Sequence, residues 1–473
     1  MTNQQFDVIV LGAGPAGENA ADIAVRHGLS TAIVEKELVG GECSYWACMP
    51  SKGLLRPGDI QDSASRAPGF VGGEIDVEEA LARRNALAGN WDDSGQVDWL
   101  EGAGVTLVRG HGRIAGERAV EVEHEDGSID RLEATKGVIV ATGTSASMPP
   151  ISGLDSVDPW DSRDVTSAKE VPRRLAIIGG GVVGVEMAQA WKTLGAEEVT
   201  IIELSDRIVA VEEPFVGAEL QKAFERMGIR VLTEASTQSV RRDGADGPVT
   251  LEITLSDDST VTVEADELLV ATGRKPNTAD IGLSTIGLED GEYIDVDDHL
   301  VATDVEGGWL YAVGDVNARS LLTHTGKYQA RVAGAHIAGV ATSAWGDRKA
   351  TPRVIFTNPQ IAAVGLTESS AREAGIEVRT VSYDIGHTAG AATLGKGYHG
   401  TCQLVVDAAS GLLVGATFVG PMSGELLHSA TVAIIGEVPI VTLWHAVPSF
   451  PTLSEVWLRL LEAYRDEFGH EFL

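Results

Sequence analysis

Phe6-Asp-Val-Ile-Val-Leu11-Gly12-Ala-Gly14-Pro-Ala-Gly17 is the stretch whose reading decides the fold of this 473-residue chain. Phe6 to Leu11 is a short apolar run of the kind that fills a buried parallel strand. The glycines follow at once, Glu18 to His27 reads as a helix, and Thr31 to Val34 returns as a second strand ending in Glu35. In that setting Gly12 allows a tight turn, Gly14 lets the backbone approach a pyrophosphate, and Gly17 lets the helix pack on the strand. The helix N-terminus favours phosphate charge, and Glu35 is placed to accept from ribose hydroxyls. The whole order recurs from Leu175: a strand, Gly179-Gly-Gly181-Val-Val-Gly184, a helix Val185 to Leu194, and a strand Val199 to Ile202 ending in Glu203. Lys136 to Gly143 and Glu267 to Gly273 are two apolar strands that both end Ala-Thr-Gly. The chain thus reads as one nucleotide domain duplicated, each copy interrupted by a small antiparallel insert. One insert turns at Asp126-Gly127 and the other spans Val249 to Val263.

The expected class is α/β, with two Rossmann-like dinucleotide-binding domains and a C-terminal α+β domain. After Pro352 short strands alternate with helical runs and carry no glycine fingerprint. The expected boundaries are 1–150 for the first part of one nucleotide domain, 151–274 for the second nucleotide domain, 275–348 for a central segment rejoining the first, and 349–473 for the C-terminal domain. Glu203 sits where a 2′-phosphate would be repelled and a free 2′-hydroxyl bound, which favours NAD over NADP. Arg207 is close enough in sequence to oppose that reading. Trp309 to Val313, then Gly314-Asp315, ends a further strand in an acid that either makes an ordinary turn or accepts from polyol hydroxyls.

Gly40-Gly-Glu-Cys43-Ser-Tyr-Trp-Ala-Cys48-Met-Pro-Ser-Lys52 holds two of the three cysteines. Their spacing does not suit a metal site, which favours two to four intervening residues and further ligands. On one regular helix their Cα atoms would lie roughly 7.5 Å apart, beyond the ~7 Å a disulfide accepts. A bonded pair therefore needs Cys43 off the regular helix, in a first turn loosened by Gly40 and Gly41. Taken alone, the stretch fits two buried thiols as well as a redox pair.

A net charge of −33 disfavours a nucleic-acid or anionic-membrane partner and reads as a solvated acidic surface. No apolar run reaches the ~18 residues of a membrane span. The start shows no basic and apolar leader, and three cysteines in so long a chain point to a reducing cytoplasm.

The order of glycine fingerprint, Cys-x4-Cys with Pro-Ser-Lys, second fingerprint, Gly-Asp strand end and C-terminal α+β domain resembles the pyridine nucleotide–disulfide oxidoreductases. Within that family the pattern is most similar to dihydrolipoamide dehydrogenase. The resemblance covers essentially the whole chain and implies a homodimeric flavoprotein disulfide reductase. It implies that Gly12, Gly14, Gly17 and Glu35 hold the ADP half of FAD, that Asp315 holds the ribityl chain, and that Thr142 and Gly143 lie along the cofactor. Gly179, Gly181, Gly184 and Glu203 would bind the nicotinamide nucleotide; Gly112 and Arg274 complete the expected cofactor-binding set. Lys52 and Glu186 match a pair beside the flavin ring. Cys43 and Cys48 match the redox-active disulfide, with Cys48 facing the flavin and Cys43 the interchange thiol, which passes electrons from NADH to a small-molecule acceptor.

The chain departs from that family in its last segment. In its disulfide-reducing members an ending His-Pro-x-x-x-x-Glu, or close to it, supplies the acid–base catalyst to the partner subunit; here the segment reads Phe450-Pro-Thr-Leu-Ser-Glu455, keeping the glutamate and replacing the histidine. Phenylalanine moves no proton, and positioned acid–base help is typically worth ~10²–10⁴ in rate. Candidate replacements are His445, five residues earlier, and the Tyr45 hydroxyl. No cysteine follows Cys402, which reads as a buried strand residue, so neither a C-terminal cysteine pair nor a redox tail is expected. The expected function is FAD-dependent NAD(P)H oxidation through Cys43–Cys48 to a disulfide, quinone or other acceptor. The alternatives are dihydrolipoamide dehydrogenase with relocated acid–base chemistry, or a flavin-bearing assembly protein without turnover.

Overall fold

In the computed structural model, which describes residues 3–244 and 247–469, the first apolar run is the strand Asn3–Leu11. It lies between two parallel neighbours, Thr31–Glu35 and Ile129–Val140. Thr106–Arg109 and Leu310–Ala312 extend the parallel set on either side. Val8, Ile9 and Val10 are fully buried, as a parallel strand covered on both faces requires. The helices Pro15–Arg26 and Thr323–Ile337 pack against one another.

Ile129–Val140 is one continuous strand of 12 residues, where the sequence reads as a hairpin arm followed by a separate buried strand. Asn3–Leu11 runs parallel along residues 131–140, while the opposite edge pairs first with Ala119–Glu123, antiparallel, and then with Leu310–Ala312, parallel. The side-chain pattern changes midway, from alternating exposure to four consecutive buried residues. One strand therefore wears both signatures, because its two halves meet different neighbours.

The chain forms two compact units. The first takes its described residues from the segments 1–50, 85–147 and 273–348, and the second from 51–84, 148–272 and 349–473. In the second unit the other fingerprint belongs to a parallel sheet ordered Ile229–Leu232, Glu198–Ile202, Arg174–Ile178, Glu267–Val270. A three-stranded antiparallel insert, Ser236–Arg242, Val249–Thr254 and Thr260–Ala265, accompanies it. The C-terminal part is a five-stranded antiparallel sheet. The helix Glu455–Phe468 lies on its strands Val378–Asp384 and Thr401–Asp407, burying Val456, Leu460 and Leu461. Among the described residues no helix is long and apolar enough to cross a membrane.

Candidate active site

Gly40 and Gly41 both adopt positive φ (113° and 57°) and turn the chain into a five-residue helix, Gly41–Tyr45, that carries Cys43. The helix stops at Trp46, and a new one, Cys48–Arg66, starts on the second cysteine. The two thiols therefore sit on separate helices, which removes the spacing conflict of a single one. A Cβ on Gly41 would come within 2.8 Å of the Cα of Gly14, so the cysteine helix rests directly on the fingerprint turn.

No bond joins the Cys43 and Cys48 sulfurs in this structure. A hydrogen bond to the Cys48 sulfur, then burial, push the Cys43 thiol well above its ordinary range, while Thr323 and Lys327 pull it back. The Thr323 hydroxyl lies 3.4 Å from the Cys48 sulfur. Thr323 is the first residue of the helix Thr323–Ile337, so a thiolate there meets both a hydroxyl donor and a helix N-terminus.

Tyr45 is 1 % exposed, and its hydroxyl donates to the Val39 carbonyl at 2.9 Å. Burial, with Asp93 next in weight, raises its pKa to about 12. It braces the loop before the cysteine helix and packs edge-on to Trp46, with ring centroids 5.7 Å apart. This corrects the expectation that Tyr45 replaces the imidazole: the side chain is buried and its proton is committed to the Val39 carbonyl.

Lys52 is on the helix that Cys48 begins, four residues on. Its ammonium donates to Glu186 at 2.7 Å and lies 4.6 Å from the centre of the Phe356 ring. Glu186 is 3 % exposed, and its second oxygen accepts from the Phe356 backbone amide at 2.9 Å. A carboxylate this buried is held by one cation and one amide, the pairing that burial of charge demands.

The two fingerprints repeat each other atom for atom. Gly12 and Gly179 have φ of 95° and 107°, and a Cβ on Gly17 or Gly184 would fall on the carbonyl oxygen of Gly12 or Gly179. Glu35 accepts from the amides of Ala13 (2.7 Å) and Glu37 (2.8 Å). Glu203 accepts from Gly180 (2.6 Å) and Ser205 (2.7 Å). Each acid thus holds its own glycine turn. Beyond Gly14 and beyond Gly181 there is open space for an approaching ligand.

In the first unit the Thr142 hydroxyl is buried and finds no partner. Asn277 donates to the carbonyls of both Thr142 (3.0 Å, side chain) and Gly143 (3.0 Å, backbone). Asp315 accepts from the Thr144 hydroxyl at 2.7 Å, and burial raises its carboxyl against that bond and the nearby Arg274. Arg274 donates to the Thr144 hydroxyl and carbonyl at 2.6 and 2.7 Å. Gly112 has a packing reason to be glycine, since a Cβ would meet Leu11 at 2.8 Å and Val34 at 3.0 Å. The orphaned Thr142 hydroxyl and the open glycine turn fit a bound dinucleotide. In the second unit a cavity of about 510 Å³ is lined by Gly179, Gly181, Glu203, Val211 and Thr237, and the buried Thr237 hydroxyl also lacks a partner. That cavity fits a second dinucleotide.

Glu455 is 5 % exposed and accepts from the Ala389 amide (2.9 Å) and from Arg459 (2.7 Å). Phe450 is 77 % exposed and precedes a cis proline. His445 is also exposed. Cys402 is fully buried in the strand Thr401–Asp407, and that burial raises its thiol far from reactivity.

Sequence reasoning does not single out Thr323, Lys327, Phe356, Asn277 or Thr144. Each is an ordinary residue type whose relevance comes from a neighbour distant in the chain. Glu18 is another: its Oε1 is buried without a partner, and burial, with Glu35 adding to it against Lys327, raises its pKa to about 7. The single signal available was its place in the first turn behind Gly17.

The profile described as pyridine nucleotide-disulphide oxidoreductase matches residues 6–338, and that described as the dimerisation domain of the same group matches 351–461. The chain is 34% identical over 472 residues to dihydrolipoyl dehydrogenase of Mycobacterium bovis, covering 98% of both. It is 30% identical over 457 residues to mercuric reductase of Staphylococcus aureus, covering 95% of this chain and 81% of that one. The structure of LpdA from Mycobacterium tuberculosis superposes with a TM-score of 0.83 at 27% identity, over 98% of this chain and 99% of the other.

Proposed function

We propose that this chain, which belongs to the pyridine nucleotide-disulphide oxidoreductase family of flavoprotein enzymes, oxidises NADH through Cys43 and Cys48 and delivers the electrons to an acceptor other than ordinary lipoamide. The observation that carries the reading is the cysteine pair itself: two adjacent sulfurs on separate helices, with the Thr323 hydroxyl and a helix N-terminus beside Cys48. FAD, when bound, supplies the two-electron relay between the nicotinamide and that pair. Gly12, Gly14, Gly17 and Glu35 would hold its ADP half, with Thr142, Gly143 and Asp315 further along it. Lys52, fixed by Glu186, would present a positive charge to the isoalloxazine. Cys48 would be the thiolate beside the ring and Cys43 the thiol that meets the acceptor.

The second cavity would take the nicotinamide nucleotide, as NADH in preference to NADPH. Glu203 puts a carboxylate at the ribose position, and Arg207 is engaged elsewhere, by Asp206 and by the Ala210 carbonyl at 2.9 Å. A 2′-phosphate would meet repulsion there, and no lysine or arginine is among the described residues that line the cavity.

The acceptor reading follows from the proton path. Phe450 stands where the acid–base residue is expected, and Glu455 is occupied by Ala389 and Arg459. An acceptor that needs no protonated leaving thiol, such as a quinone, suits this arrangement better than a disulfide substrate, whose leaving thiolate takes up a proton. The dimerisation domain implies a homodimer.

Anaerobic addition of NADH to the FAD-loaded protein is expected to raise a long-wavelength absorbance from the Cys48 thiolate against the flavin, and Cys48→Ser to abolish it. A wild type without that band would remove the cysteine pair from the electron path. A parallel assay with lipoamide, a small disulfide and a quinone is expected to favour the quinone, and Phe450→His to raise disulfide turnover. Wild-type turnover of lipoamide as fast as that of the quinone would refute the acceptor reading.

A further inference from the structure

The segment between Arg207 and Pro214 forms one wall of the nucleotide cavity, through Val209, Ala210 and Val211. Its inner side is tied to the glycine turn, because the Val209 amide donates to the Gly180 carbonyl at 2.9 Å. Val209 holds this position at a φ of 46°, a left-handed value that a β-branched residue adopts only under constraint. Val211 is 77 % exposed on the cavity side.

The outer side of the wall ends in two consecutive buried acids, Glu212 (4 % exposed) and Glu213 (3 %). Both are satisfied from the C-terminal domain. Arg353 donates to the two oxygens of Glu212 in a fork, Nε at 2.8 Å and Nη2 at 2.9 Å. Glu213 accepts from the Glu368 amide (2.7 Å) and the Gln403 side chain (3.0 Å). The Glu212 amide donates back to Val209 at 3.0 Å. An unbroken run of bonds therefore leads from Arg353, through Glu212 and Val209, to the glycine turn. Two buried carboxylates at one loop are costly without such partners, and a planar guanidinium sets both oxygens of one of them at once.

We propose that the Glu212–Arg353 pair is a strut by which the C-terminal domain holds the cavity wall 209–211 in its nucleotide-binding position, which makes Arg353 a positioning residue for the nicotinamide nucleotide. The inference rests on the reading of this cavity as the nucleotide site. Because the domain that carries Arg353 matches a dimerisation domain, the strut also links nucleotide affinity to the integrity of that domain.

The test uses the full-length FAD-loaded protein. Arg353→Met leaves Glu212 buried without its cation, so the loop must move to hydrate it. The Kd for NAD⁺ by calorimetry and the KM for NADH with a dye acceptor should each rise about tenfold, with kcat within about twofold of wild type, as coupling through a packed network allows. The double variant Glu212→Met, Arg353→Met, which removes both charges, should recover most of the affinity. If Arg353→Met does not fold, Glu212→Gln, which keeps the shape and loses the charge, should show the same KM-against-kcat split. A folded Arg353→Met with wild-type Kd overturns the strut. Gly181→Asp, placed in the cavity itself, separates the two readings: unchanged NAD⁺ binding in that variant overturns the assignment of the cavity, and the strut with it.

Discussion

Glu18 offers the sharpest quantitative test. It lies in the first turn of the helix Pro15–Arg26, with its Oε1 buried and unpartnered, and burial lifts its pKa from the ordinary 4.5 to about 7. A carboxyl whose pKa is higher in the folded than in the unfolded state favours folding most at low pH. That contribution is complete below the unfolded value of about 4.5 and is lost as pH rises through about 7. Glu18→Gln is neutral throughout and suffers no such loss. The variant's advantage should therefore grow by about 2 kcal/mol between about pH 5.5 and about pH 8. For a cooperative unit of some 150–250 residues this is roughly 4–8 °C in Tm. Thermal melts of wild type and variant, both freed of FAD so that pyrophosphate charge does not add, measure it directly. The two melting curves should draw further apart from about pH 5.5 to about pH 7 and keep a constant separation above it. Parallel Tm curves across the window would refute the reasoning, since they would mean that Glu18 titrates alike in the folded and unfolded chain.

Lys52→Met leaves Glu186, 3 % exposed, without its cation and held by the Phe356 amide. A stability loss of about 2–4 kcal/mol by denaturant unfolding and NADH oxidation slower by about 10²-fold are expected, with Glu186→Gln milder because it keeps an acceptor for that amide. Thr323→Val removes the hydroxyl 3.4 Å from Cys48; the pH at which the thiol becomes open to alkylation should rise by about one unit, and Thr323→Ser should restore it. Glu203→Ala takes away the acceptor of the Gly180 and Ser205 amides. The Kd for NADH should rise about tenfold by fluorescence titration while that for NADPH changes less, narrowing the preference.

Much of the fold was legible because its signals are local. A glycine with positive φ, a helix N-terminus and an acid at a strand end lie within about 25 residues, and strand burial shows as an apolar run. Ile129–Val140 reads as two pieces because its halves obey different periodicities, and the strand Asn3–Leu11 paired along it makes it one. The first strand of the insert, Ser236–Arg242, is mostly polar, so it carries no apolar signal.

Of the candidate site, the chain's order alone determined the two nucleotide turns, the cysteine pair and the Lys52 helix, since each is a contiguous pattern whose chemistry depends on residue type and spacing. The tertiary structure decided what faces them. It brought Thr323 to Cys48 from 275 positions away and Glu186 to Lys52 from 134, and it turned the Tyr45 hydroxyl to Val39 rather than to a thiol. It also set Arg353 against Glu212, 141 residues earlier. The reason is physical: a thiol's acidity or a carboxylate's charge depends on the few groups within hydrogen-bond reach, and those groups are chosen by packing, not by adjacency in the chain.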